Sequence, residues 1–243
     1  MAKLEKWLFY LLLFCTPFQT RIILKSWGEG FNEWNSAFLY GTDILILLLF
    51  VFWWIRKTNQ RPSGQEANQP YTYLKIPSEE SRSKVGSMAD LLLLVFLGVA
   101  ALSITQASNK ILGLYNWVKI LEMAGLYFYV RSSLGTIFGL MDSFLAIIVS
   151  GLFQGLVAIS QSLSQHSLGL KWLGESVLRT NFNGVAVVLM EGEKFLRAYG
   201  TTPHPNVLSA WLFLAVSAFF AWYLYRPGAE VAPRRIERLT RIL

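Results

Sequence analysis

With 53% hydrophobic and only 15% charged residues among 243, the chain is too apolar for an ordinary soluble domain, which carries about 45–50% apolar and about 25% charged residues. A mean hydropathy of +0.40 and long apolar runs place it among polytopic membrane proteins. The net charge of +7 would suggest nucleic acid in a soluble protein; in a membrane chain it reports topology, and no nucleic-acid partner is expected.

A span needs about 20 predominantly apolar residues, with a range of about 17–25. The first candidate, residues 7–23, is the weakest, because Pro17 and Arg21 shorten its apolar part. It lacks a small-x-small cleavage pattern and reads as a retained signal-anchor. Its Cys15 is the chain's one cysteine, which excludes an internal disulfide framework; a lipoprotein signal would need a small residue where Phe14 stands. The second span is 38–55, followed by a Pro-, Gln-, Ser- and charge-rich stretch, 56–87, that reads as a flexible cytoplasmic loop. The third span is 89–105 and the fourth 112–130. Lys119 and Glu122 interrupt the fourth at i and i+3; a charge pair at that depth faces the bundle interior and pairs with itself.

The fifth span, 144–162, carries Gln154 and Gln161 two turns apart on one face, where they bond between helices or line a site. Residues 161–206 form the longest non-spanning segment. Within it, Leu168, Leu170, Trp172 and Leu173 alternate with polar residues, as in an interfacial helix. A Val-rich run to Met190, a turn at Glu191-Gly192-Glu193 and the run from Lys194 predict a β-hairpin. The sixth span is 207–225, and 226–243 is a basic cytoplasmic tail. The predicted fold is therefore an all-α polytopic membrane protein of about six transmembrane helices, with an outer segment before the last span. Fourteen Lys and Arg fall on the side of the N-terminus and seven on the other, with Lys119 inside a span. That bias puts both termini in the cytoplasm and residues 161–206 outside. The single candidate domain is 1–243.

The most informative stretch is Arg197-Ala198-Tyr199-Gly200-Thr201-Thr202-Pro203-His204-Pro205-Asn206. A glycosyl transfer from a lipid diphosphate needs cations for the leaving group, and Arg suits phosphate because its planar fork matches the oxygens. The acceptor hydroxyl needs a base, such as His or a carboxylate. Arg197 reads as a diphosphate clamp or as an ordinary headgroup-level Arg. His204, fixed between two prolines, reads as a hydrogen-bonding or basic group or as a helix-start residue. Asn206 binds a sugar hydroxyl or caps the sixth helix, and Tyr199 stacks on a sugar or sits at the interface. Gly200 provides a positive φ or a close backbone approach. Glu175 is the outer carboxylate placed to act as base, or else a solvated acid. Two histidines, His166 and His204, build no zinc site between them, so neither metal nor cofactor is expected.

This stretch resembles the Arg-x-x-Gly-Thr-x-x-His-Pro-Asn pattern of the O-antigen ligase and O-antigen polymerase family of membrane glycosyltransferases. The approach from Gln161 through Ser167-Leu168-Gly169 and Leu173-Gly174-Glu175 is similar to the same family. So are Thr20-Arg21, Asn32-Glu33-Trp34, Tyr40-Gly41-Thr42-Asp43, Leu114-Tyr115 and Lys119-Ile120-Leu121-Glu122. The resemblance implies metal-free, inverting transfer of a glycan from undecaprenyl diphosphate to a lipid or glycan acceptor, outside the cytoplasmic membrane of a bacterium. It implies a role in lipopolysaccharide or other envelope polysaccharide synthesis. Arg197 would bind diphosphate, with His204, Tyr199, Asn206 and Gln161 beside the donor; Glu175 and His204 are the candidate catalytic groups. Family members have about twice the expected six spans. They also have a later outer loop that supplies further Arg and the His taken as base. The expectation is therefore an N-terminal half, truncated or completed by a second chain. The alternatives are a non-catalytic remnant or partner subunit that binds lipid-linked glycan, and a small transporter subunit. The last fits less well, because polarity gathers outside rather than at midplane.

Overall fold

The computed structural model describes residues 1–27, 32–59, 79–179, 182, 184–190 and 192–225, with the backbone alone for 79–87. Its helices are α1 (Ala2–Cys15), α2 (Gly41–Asn59), α3 (Glu79–Ser103), α4 (Lys110–Ser133), α5 (Leu140–Ser164) and α6 (Pro205–Tyr225). Two small two-stranded sheets accompany them, β1 (Arg21–Ser26) with β2 (Ser36–Tyr40) and, antiparallel, β3 (Val187–Met190) with β4 (Glu193–Leu196). Among the described residues, three segments are long and apolar enough to cross a membrane: Met88–Gln106, Leu140–Ser164 and Pro205–Tyr225. The chain is thus mainly helical with membrane character.

Several sequence-derived boundaries move. The helix expected over 7–23 ends at Cys15, ahead of Pro17, and residues from Arg21 are strand. Proline removes a donor and disfavours helix at the residue before it, which explains the early stop. The loop expected over 56–87 is shorter: α2 continues to Asn59, and α3 begins at Glu79. Arg56 and Lys57 favour a helix C-terminus and Glu79 with Glu80 a helix N-terminus, because each opposes the local dipole charge. Residues 60–78 of that loop and the tail expected over 226–243 lie outside the described residues. The expected interfacial helix is a single 3-10 turn, Lys171–Leu173. The β1–β2 sheet was not anticipated at all.

The chain divides into two compact units. One comprises Ile22–Leu39 and Ile46–Thr136. In it, the Tyr115 hydroxyl donates to the Phe38 carbonyl at 2.8 Å and accepts from the Phe38 N–H at 3.0 Å, which fastens α4 to strand β2. The Trp117 indole donates to the Leu97 carbonyl at 3.1 Å, and Arg131 and Tyr127 both reach the Asp90 carboxylate, so α3 and α4 are joined by polar groups at two levels. Lys119 and Glu122 pair at 3.5 Å, the self-pairing that their spacing suggested.

The other unit comprises Met1–Arg21, Tyr40–Leu45 and the chain from Ile137 on. Here α5 and α6 run antiparallel and pack through small residues. A Cβ built at Gly151 would lie 2.3 Å from the Ala215 Cβ, so the two backbones approach as closely as side chains allow. Small residues favour helix association in lipid because they let dispersion contacts form along the backbone. Ser150, on the same face, donates to the Phe14 carbonyl at 2.8 Å and accepts from the Trp211 indole at 3.2 Å. Phe9 stacks on Phe138 with ring centroids 3.7 Å apart, which seats α1 beside α5.

Candidate functional site

The polar stretch at 197–206 is built upward from one face of α5. Gln154 and Gln161 are fully buried on that face, as are Thr201 and Thr202. Buried polar groups are costly unless bonded, and each of these has partners. The Gln161 carboxamide oxygen accepts from the N–H groups of Tyr199 at 3.0 Å and Gly200 at 2.8 Å. Its amide donates to the Gly200 carbonyl at 2.9 Å and to Glu175 Oε1 at 2.8 Å. One turn pair lower, the Gln154 oxygen accepts from the Thr201 N–H at 3.0 Å, and its amide donates to Thr201 Oγ1 at 2.6 Å. Gln165, the left-handed cap that ends α5, accepts from the Leu196 N–H at 2.7 Å. Three glutamines on one helix therefore hold the backbone from Leu196 to Thr201.

Gly200 sits at φ +61°, and a Cβ there would come within 2.4 Å of the Gln154 Oε1. Both properties expected of this glycine are present, and both are needed, since a left-handed backbone and a buried carboxamide leave no room for a side chain. The stretch that follows α1 joins the same structure. The Gln19 N–H donates to the Thr201 carbonyl at 3.3 Å, and the Thr20 hydroxyl donates to the Trp172 carbonyl at 3.0 Å. Gly174, at φ +86°, lies so close to Gln19 that a Cβ would fall 2.3 Å from its carbonyl carbon.

The candidate residues separate into two groups. Glu175 is buried, not solvated. Its Oε1 accepts from the Leu168 N–H and from Gln161, and its Oε2 accepts from the Leu170 N–H at 2.6 Å. These three bonds hold residues 168–170 in place and satisfy the buried carboxyl group. Glu175 is thus a structural anchor: both oxygens are engaged inside the protein, and neither faces an acceptor hydroxyl. Tyr199 is also buried, and its hydroxyl accepts from the Ala186 N–H at 2.8 Å. With Leu178 and Leu196, and with Val185 and Ala186 packed beside them, it forms the small core of the segment. It offers no open ring face for a sugar. Gln161 likewise reaches protein backbone and Glu175 rather than solvent.

Arg197, His204 and Asn206 are exposed. Arg197 follows β4 by one residue rather than lying inside the strand, and its N–H donates to the Ala186 carbonyl at 3.1 Å. Its guanidinium donates to Asn206 Oδ1 at 3.2 Å. His204 is the residue before α6, Pro205 is its first residue, and the His204 Nδ1 accepts from the Asn206 N–H at 3.2 Å. His204, not Asn206, therefore caps α6. The ring also meets Tyr199 edge-to-face, with centroids 6.0 Å apart.

The arrangement places a guanidinium, an imidazole and a carboxamide side by side at the N-terminus of α6, where the helix dipole is positive. Such a group of donors can bind an anion with several oxygens. Deprotonating a hydroxyl is a lesser capability, because the His204 Nδ1 is already engaged as a cap. Sequence reasoning missed Gln165, Thr201 and Thr202; the Gln periodicity along α5 carried a signal for the first, and nothing separated the threonines from ordinary loop residues. Among the described residues, no group of three or more His, Cys, Asp or Glu could hold a metal ion. Comparison of the chain with protein-family models, curated proteins and solved structures finds no match in any of the three.

Proposed function

We propose that the chain is part of a membrane glycosyltransferase of the O-antigen ligase or polymerase type, acting on a glycan carried by undecaprenyl diphosphate at the outer face of a bacterial cytoplasmic membrane. One observation carries this reading. The loop that joins α5 to α6 is fixed by buried Gln154 and Gln161, yet it leaves Arg197, His204 and Asn206 exposed together at the end of two apolar helices. A loop with a connecting role alone would not require its polar backbone to be bonded to the interior of a helix that is apolar elsewhere. In this reading Arg197 grips the diphosphate, His204 and Asn206 orient it, and the acceptor's base belongs to the later outer loop that the resemblance implies, whether on this chain or on a second one.

The same reading has six helices crossing the membrane, with both termini in the cytoplasm. At about 1.5 Å per residue, α2 with 19 residues spans ~28 Å and α4 with 24 spans ~36 Å, close to or beyond the ~30 Å hydrocarbon core. The 14 residues of α1 reach only ~21 Å, and the extended stretch after it would complete the crossing.

The test is binding and transfer by the reconstituted protein with a polyprenyl-diphosphate glycan. A charged hydrogen-bonded contact contributes ~1.5–3 kcal/mol, so Arg197→Ala should weaken donor binding about ten- to a hundredfold. Equal binding by the wild type and Arg197→Ala would remove Arg197 from the site. Binding that depends on Arg197 without any transfer would favour a non-catalytic, glycan-lipid-binding partner subunit.

A further inference from the structure

The β3–β4 hairpin presents an apolar face that no described residue covers. The register pairs Val187 with Leu196, Val188 with Phe195, Leu189 with Lys194 and Met190 with Glu193. Paired residues share a face, so Val187 and Leu196 point with the buried core, followed on that side by exposed Leu189 and Lys194, while Val188, Phe195 and Met190 share the opposite face, with Glu193 beside Met190 at its turn end. A ribbon with one face on a core and the other in water alternates apolar and polar residues. This one does not: β3 reads Val-Val-Leu-Met, and its outer face is 46% exposed at Val188, 57% at Met190 and 38% at Phe195.

The position of the ribbon identifies its surroundings. The Leu196 N–H of β4 bonds to Gln165, the first residue beyond α5. The 25 residues of α5 exceed the roughly 20 that cross a bilayer, so its C-terminal turn lies at headgroup level, and the ribbon is hydrogen-bonded to that turn. Leu163 on the last turn of α5 and Trp172 on the adjoining 3-10 turn are exposed at the same end. Lys194 and Arg197 on β4 and just after it have long stems that can lie along apolar surface with their charges among phosphates.

We propose that the hairpin is a membrane-interface anchor, with Val188, Met190 and Phe195 immersed at the boundary between headgroups and acyl chains. An interfacial element holds its apolar face ~5–10 Å into that boundary. The anchor would fix the height of the loop bearing Arg197 relative to the lipid surface. It rests on α5 and α6 crossing the membrane, but not on the glycosyltransferase reading.

The experiment uses the full chain with Cys15→Ser, reconstituted in phosphatidylethanolamine–phosphatidylglycerol vesicles. Single Val188→Cys, Met190→Cys and Leu152→Cys variants are labelled with a nitroxide. Relaxation by dissolved oxygen, which concentrates in the bilayer, is compared with relaxation by a water-soluble nickel chelate. At positions 188 and 190, oxygen should relax the label several-fold more effectively than nickel, approaching the pattern at Leu152, an exposed residue midway along α5. Strong nickel relaxation at 188 and 190 with oxygen dominance at 152 would overturn the anchor while leaving the spans intact. Weak relaxation by both reagents at 188 and 190 would mean that protein covers the face, and would overturn it as well. Nickel dominance at 152 would overturn the membrane-spanning assignment itself, and the anchor with it.

Discussion

Replacing Gln161 with the similarly shaped Met tests whether α5 truly holds the loop. The substitution deletes four hydrogen bonds and leaves the N–H groups of Tyr199 and Gly200 and the carbonyl of Gly200 without their partner. A buried unsatisfied group costs ~1–3 kcal/mol, and removing the carboxamide recovers part of that through its own lost desolvation penalty, so a net loss of ~3–5 kcal/mol is expected. At ~2–4 °C per kcal/mol for a chain of this size, the melting temperature should fall by ~6–20 °C. Cys15 makes the assay simple, because it is the one thiol in the chain and is half-buried. A fluorogenic maleimide in detergent solution reports its exposure as the protein unfolds. Gln165→Met serves as a graded comparison, since it removes one backbone bond to β4 along with a local bond to the Ser162 carbonyl. Its loss should be near ~1 kcal/mol. A Gln161→Met variant melting within about 2 °C of the wild type, or one no worse than Gln165→Met, would refute the account of Gln161 as the central tie.

Other outcomes follow from the same geometry. Gln161→Glu puts a second carboxylate within 2.8 Å of Glu175 Oε1. The pair can remain buried only by sharing a proton, so this variant should lose stability relative to the wild type as pH rises through the carboxyl range, and equal loss in parallel melts would contradict the contact. Gly200→Ala should cost ~1–2 kcal/mol for the left-handed backbone alone, and more because its Cβ displaces the Gln154 oxygen; unchanged melting would contradict the φ of +61°. Gly151→Ala should destabilise by ~1–3 kcal/mol through overpacking against Ala215. Adding Ala215→Gly should restore most of that loss, and no recovery in the double variant would place the contact elsewhere.

The helices were legible because their apolar runs are long and punctuated by proline and charge. Arg56 and Glu79 mark the limit of that signal: charge reads as loop by composition, whereas at a helix end it complements the dipole and favours a longer helix. The β3–β4 hairpin was readable from its β-branched run and Gly192, which takes φ +87° at the turn. The β1–β2 sheet was not, since Arg21–Ser26 looks like the end of a span when periodicity is the only guide. At the site, the seven-residue spacing of Gln154 and Gln161 correctly put both on one face, but spacing could not say what that face meets. Glu175 shows the limit most plainly. An acid in a polar loop is solvated by default, and only the fold brings Gln161, Leu168 and Leu170 around it.

The stretch from Pro17 to Thr20 also bears on how the protein is made. It is synthesised well before its partners Trp172, Gly174 and Thr201, which leave the ribosome more than 150 positions later. During translation the Gln19 backbone must wait, unpaired, until α5 and the loop after it have been made. The Arg197 loop therefore reaches its final form only once the chain has been synthesised through Thr201 and folded back onto residues 17–20. Loop closure over such a distance adds little entropy for each further residue, but it makes assembly a late event, available to chaperones and proteases until that moment.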